Sequence, residues 1–232
     1  MGRFNAVSED VFKNLQLEAG VLLNTFDPDD PAEPDDEDII CATTGGVNAT
    51  CVPTYTDFGE DIDNVPNRTK ELNHLDNWEC KFGFTALDVT PETIKMSLGA
   101  ADTTDTYTAS SDTSVVSGKT YYTRSGTSPN YTYSVVQAPT GNPSTSNYYE
   151  LTGGTVIPRA TLKDSDYSDL WWVGDKADGG MAAINLKNAL STGGFSLQTT
   201  KSGKGQLACE LTGYVSIEDT TEIPMAFYVS EE

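Results

Sequence analysis

The stretch Trp78-Glu-Cys-Lys-Phe-Gly-Phe-Thr-Ala-Leu-Asp-Val-Thr-Pro-Glu-Thr-Ile-Lys-Met-Ser-Leu-Gly99 contains a strand signal followed at once by a helix signal. From Trp78 to Phe84 the even positions are apolar while Glu79, Lys81 and Gly83 fall between them. That two-residue period belongs to a strand with one buried face, predicted here over Leu72 to Thr85. The next ten residues change period. Thr90 is suited to cap free amide groups, Pro91 to the first helical position, Glu92 to the positive end of the dipole, and Gly99 to closing the helix. Ile94 and Leu98 share one face, with Met96 less central, so the helix is expected to pack on a sheet.

Working outward, every other signal is for strands. Leu15 to Leu17 followed by the Val21 to Leu23 run reads as a partly buried strand with Gly20 as a bulge or turn. Asp27 to Asp38 carries three prolines and eight acids. Prolines remove backbone donors and like charges repel, so this is an extended loop. Ile39 to Cys41 reads as a short strand entering a turn at Thr43-Thr-Gly-Gly46, with Val47 to Val52 as its partner, and residues 53 to 70 read as loop. Thr155 to Leu162, Leu170 to Val173, Met181 to Leu190, Phe195 to Thr199, Leu207 to Ile217 and Ile223 to Val229 are the later strands. Many short strands, one helix and Gly-rich turns predict a mainly β protein, a sandwich or barrel with one flanking α-helix.

One segment departs from the rest. Residues 103 to 156 hold seven of the eleven tyrosines, with three acids and two bases, whereas the whole chain carries a net −21. The expected organisation is therefore a host domain of residues 1–102 and 157–232 with an inserted Tyr/Ser/Thr-rich β module at 103–156. Its hairpin signals have little aliphatic core between them.

Charge and composition exclude several functions. Direct attraction to nucleic acid needs clustered Lys and Arg, so a net −21 argues against it. No run approaches the roughly 18 apolar residues of a membrane helix, and Met1 to Asp10 lacks the layout of a signal peptide, so a cytosolic place of synthesis is expected. Cys41, Cys51, Cys80 and Cys209 contain no Cys-x-x-Cys pair and are expected as reduced thiols, although their parity permits two disulfides, Cys41 with Cys51 being nearest in sequence. His74 is the single histidine, and no Ser/His/Asp or Cys/His set assembles around it, so no enzyme and no catalytic residue is expected. The acidic loop lacks the glycine and terminal glutamate of a calcium loop, and Lys201-Ser-Gly-Lys-Gly205 lacks the spacing of a phosphate loop. No metal and no cofactor is assigned. Trp171 and Trp172 fall on opposite faces of one strand, leaving either an interface or one core Trp with the other under a loop. The inserted tyrosines either stack on sugars or form the module's own thin core.

Four stretches, Leu15 to Pro28, Trp78 to Gly99, Ile184-Asn-Leu-Lys-Asn-Ala-Leu190 and Leu207 to Val229 ending in Ile223-Pro-Met-Ala-Phe-Tyr-Val229, resemble in their succession of elements the major tail proteins, or tail tube proteins, of long-tailed bacteriophages. The resemblance implies homohexameric rings stacked into a tube, with tape-measure and tail terminator or initiator proteins as partners and DNA as transient, non-sticking cargo. It implies a place in the virion tail, assembled in the cytoplasm of a bacterial host. Candidate inter-ring contacts are Asp27, Asp29, Asp30, Glu33, Asp35, Asp36, Glu37 and Asp38, within bridging loops placed by position at Asp27 to Val47 and Pro53 to Leu72. Inserted domains facing outward fit the 103–156 module, with Tyr121, Tyr122, Tyr131, Tyr133, Tyr148 and Tyr149 as candidate host contacts. An acidic lumen would repel DNA phosphates and oppose assembly alike. The competing reading is a secreted or surface β protein that binds carbohydrate through the 103–156 module.

Overall fold

The computed structural model describes residues 10–35, 38–60, 62–112, 115–116, 119–136 and 148–230. The chain divides into two compact units, one of residues 1–100 and 159–232 and one of residues 101–158. Along the larger unit run the single turn α1 (Asp10–Lys13), β1 (Val21–Leu23), β2 (Thr43–Asp57), β3 (Asn73–Ala86) and α2 (Pro91–Leu98). The smaller unit holds β4 (Ala101–Ala109), β5 (Tyr122–Thr127), β6 (Asn130–Val135) and β7 (Tyr148–Pro158). The chain then returns with β8 (Ser168–Asp175), β9 (Met181–Ser191), β10 (Ser196–Gln198), β11 (Gln206–Gly213) and β12 (Met225–Val229). The protein is mainly β and antiparallel throughout, with α2 as its one helix beyond a single turn among the described residues.

The larger unit is an eight-stranded sheet in which six strands run in the order β1-β8-β9-β11-β3-β2, with β10 paired to β11 and β12 to β9 off this path. One edge of β9 is divided, pairing with β12 over 182–186 and with β11 over 189–191. The alternation in β3 does what its period requires. Cys80, Phe82, Phe84 and Ala86 are buried, and they join Leu22, Leu170, Leu186, Leu207 and Leu211 in one core cluster.

Three expectations change. Ile39 to Cys41 is not a strand paired with Val47 to Val52: Ile39 makes only an isolated bridge to Leu23, and Thr43 to Asp57 is one long strand against β3. Gly45 and Gly46, at φ 79° and 77°, form a bulge in that strand, because the left-handed backbone glycine allows serves a bulge as readily as a turn. The strand therefore runs through Pro53, tolerated because β2 is the last strand of the sheet and has an edge with no ladder to break. Finally, β11 stops at Gly213 rather than Ile217, and beyond it Ser216 and Asp219 close a turn that leaves Ile217 92% exposed.

The helix keeps its place but turns a different face inward. Thr93 and Ser97 are the residues buried in α2, whereas Ile94 and Leu98 are only half-buried. Small side chains let the helix approach the sheet, and their hydroxyls are satisfied locally: Thr93 donates to the carbonyl of Asp88 at 3.0 Å and Ser97 to that of Ile94 at 2.8 Å. The Ser191 hydroxyl of β9 then donates to the Ser97 carbonyl at 2.5 Å, tying helix to sheet.

Candidate functional site

The acidic loop is held at its neck. The Asn24 amide donates to the Asp38 carbonyl at 2.9 Å, the Thr25 hydroxyl to the Asp38 carboxylate at 2.6 Å, and the Ile40 amide to the Leu22 carbonyl at 3.0 Å. Inside it the Asp29 amide donates to the Asp27 carboxylate at 3.0 Å. Asp38 is half-buried, while Asp27, Asp29, Asp30, Glu33 and Asp35 are exposed; Asp36 and Glu37 lie outside the described residues. The exposed carboxylates stay solvated, and among the described residues no group of three or more His, Cys, Asp or Glu side chains is arranged to hold a metal ion. The loop and β1 border a cavity of about 660 Å³, lined also by the end of β8 at Gly174 and Asp175 and by Gly179 of the following turn.

Both tryptophans of β8 find partners. Trp172 packs against the core and its indole N–H donates to the Ala19 carbonyl at 2.9 Å. Trp171, on the opposite face, meets Phe26 edge-on at 5.6 Å and Tyr228 at 5.4 Å. Trp172 is thus the core member of the pair, and Trp171 is half-buried against Phe26 and Tyr228.

Other apolar side chains remain uncovered on two strands that have one neighbour each. β2 pairs only with β3, and β12 only with β9. Val52 and Tyr55 on β2 are 53% and 55% exposed, and Phe227 and Val229 on β12 are 60% and 67% exposed. Sequence reading placed Val52 and Phe227 in strands, but which strands have a single neighbour is a property of topology.

In the smaller unit, sheet order β4-β7-β5-β6, strand register gathers the tyrosines. Tyr122 lies opposite Tyr149, and Arg124 opposite Tyr133, so the period of two places Tyr122, Arg124, Tyr131, Tyr133 and Tyr149 on one face. Tyr107 of β4, absent from the candidate contacts, completes it: its ring stacks on Tyr133 at 4.0 Å and meets Tyr122 edge-on at 4.9 Å. The Arg124 guanidinium lies over the rings of Tyr131 and Tyr149, 4.3 and 4.6 Å from their centroids. Tyr148 faces the other way, and Tyr121 is buried at 2% exposure beside it. The rings pack on one another and on Arg124 as cross-strand pairs of a thin core do, while Tyr131 stays exposed.

Tyr121 also anchors a charged cluster. Its hydroxyl donates to Asp112 at 2.7 Å, Lys119 reaches Asp112 and Glu150 at 2.8 Å each, and Ser110 donates to Glu150 at 2.5 Å. The Lys119 hydrogen bonds hold both carboxyls below their ordinary range. His74 sits exposed on β3, 5.9 Å from the Phe58 ring. Lys201 to Gly205 lies in the turn joining β10 to β11.

No protein-family model matches this chain, and no curated protein matches it in sequence.

Proposed function

We propose that this chain is a structural virion protein of the tail-tube kind, forming hexameric rings that stack into a conduit for DNA. The observation that carries the proposal is the pair of one-sided strands, β2 and β12, with Val52, Tyr55, Phe227 and Val229 exposed on them. Unpaired strand edges beside exposed apolar side chains are where further strands add, and pairing between copies would satisfy both the backbone and the side chains. The net −21 supports the same reading, since a wall of this sign repels phosphate. On this reading the acidic loop is a contact arm between rings, and the near-neutral smaller unit belongs on the tube exterior. Tape-measure and terminator or initiator proteins are the remaining partners, and the virion tail is the location.

Like charge opposes assembly, so salt should promote it. Purified protein at high concentration is expected to sediment as rings or tubes in high salt and to give them in negative-stain images. A monomer at every salt concentration, with neither rings nor tubes, would overturn the proposal. The carbohydrate reading is the weaker one, because Arg124 and neighbouring tyrosines already pack on these rings. Specific glycan-array binding by the full chain would reverse that order.

A further inference from the structure

Cys51 of β2 and Cys80 of β3 stand directly opposite each other in the antiparallel register, and their sulfur atoms are 3.2 Å apart. Opposed residues of an antiparallel pair have Cα atoms about 4.5–5.5 Å apart, within the roughly 4.4–6.8 Å that a disulfide spans. Closing the bond to about 2.05 Å is therefore a matter of side-chain rotation. Cys80 is fully buried while Cys51 is half-buried, so Cys51 is the sulfur that a small oxidant meets first.

We propose that Cys51 and Cys80 form a redox pair, closed to a cross-strand disulfide by hydrogen peroxide and reopened by a thiol reductant. The Cys51 sulfur attacks the O–O bond and becomes a sulfenic acid, releasing the first water. The Cys80 sulfur then attacks that sulfur, the S–S bond forms, and the hydroxyl leaves with the Cys80 proton as the second water. Two thiols are oxidised and one peroxide is reduced. Burial and the hydrogen bond with Cys51 push the Cys80 thiol up to about 12, which makes it the resolving rather than the attacking group. Burial pushes Cys41 and Cys209 up to about 12 and about 11, which keeps those two as thiols.

The bond would lie at a defined point of the fold. β11 supports β3 only from Lys81 onward, so residues 52–57 and 73–79 form a ribbon with no third strand. A link at 51–80 closes the base of that ribbon.

Reduced full-length protein is treated with peroxide, then denatured for thiol counting and digested with trypsin. The count is expected to fall from the four cysteines of the sequence to two and to return with dithiothreitol. A linked peptide pair, 14–68 with 71–81, is expected, with fragment ions assigning the bond to Cys51 rather than Cys41. C51S should lose the link and C41S keep it. Four surviving thiols, a sulfinic acid on Cys51 without a link, a Cys41 to Cys209 link or a link between chains would each overturn the proposal.

Discussion

The backbone amide of Arg159 donates to the carbonyl of Ala100 at 2.8 Å, so the chain leaves the larger unit and re-enters it at hydrogen-bonded neighbours. From there Ala101 pairs with Pro158, and the two strands run together through nine register positions. Replacing residues 101–158 with a short Gly-Ser linker should leave the larger unit folding cooperatively, because closing a loop between adjacent ends costs little. A denaturant midpoint within experimental error of the parent, followed by tryptophan fluorescence, is expected; Trp78, Trp171 and Trp172 all lie in the larger unit. If the intact chain forms rings as proposed, the shortened chain should form them too. Loss of cooperative unfolding, or loss of rings under conditions where the intact chain is found to form them, would contradict this partition.

Gly20, at φ 70°, sits where a Cβ would fall 2.5 Å from the Trp172 indole nitrogen and 2.6 Å from the Val173 carbonyl oxygen. Gly20→Ala meets both a left-handed backbone and a clash in which one partner is main chain. A destabilisation of about 2–4 kcal/mol is expected from the chemical denaturation midpoint. The loss should come with a red-shifted tryptophan emission as the indole leaves the Ala19 carbonyl.

Thr90 and Thr93 cap α2 reciprocally, the Thr93 amide donating to the Thr90 hydroxyl at 3.2 Å and the Thr90 amide to the Thr93 hydroxyl at 2.9 Å. Thr93→Val keeps the shape and removes the acceptor, leaving the Thr90 amide unpaired and the Asp88 carbonyl without its donor. About 1–2 kcal/mol of stability should be lost. Thr93→Ser, which retains the hydroxyl, should recover most of it.

The carboxyls of Asp112 and Glu150 are held below their ordinary range by Lys119. A folded-state pKa that is lowered contributes stability above the unfolded value, and that contribution is lost as pH falls through the folded one. The smaller unit should therefore lose stability on acidification from about pH 4.5 downward. Lys119→Met should be less stable at neutral pH and show a flatter acid dependence. Tyrosine near-UV circular dichroism during thermal unfolding measures both, and equal acid slopes in the two proteins would count against the cluster.

Much of this was legible in local sequence, and the reasons are specific. The period of two in Trp78 to Phe84 and the cap residues Thr90, Pro91 and Gly99 act through neighbours within a few positions, so β3 and α2 emerge from the residues themselves. The acidic, proline-broken loop is equally local. The buried face of α2 was not legible, because hydrophobicity points to Ile94 and Leu98 while close approach to β9 selects Thr93 and Ser97. Gly45-Gly46 was ambiguous for a related reason: a left-handed pair is compatible with turn and bulge, and only the pairing of Val47 with Phe84 selects the bulge.

For the candidate sites the division is sharper. Composition set the Tyr-rich stretch apart and counted four cysteines, but it says nothing about distance. Register across β5, β6 and β7 placed Arg124 between two tyrosine rings, and register across β2 and β3 put Cys51, not Cys41, against another thiol. Residue type and short spacing determined by themselves the strand β3, the helix α2, the acidic loop and the charge. The sheet order, the one-sided strands β2 and β12 and the facing pair Cys51 and Cys80 were decided only in the tertiary structure, since strand pairing joins residues that are far apart in the chain and whose separation no local period encodes.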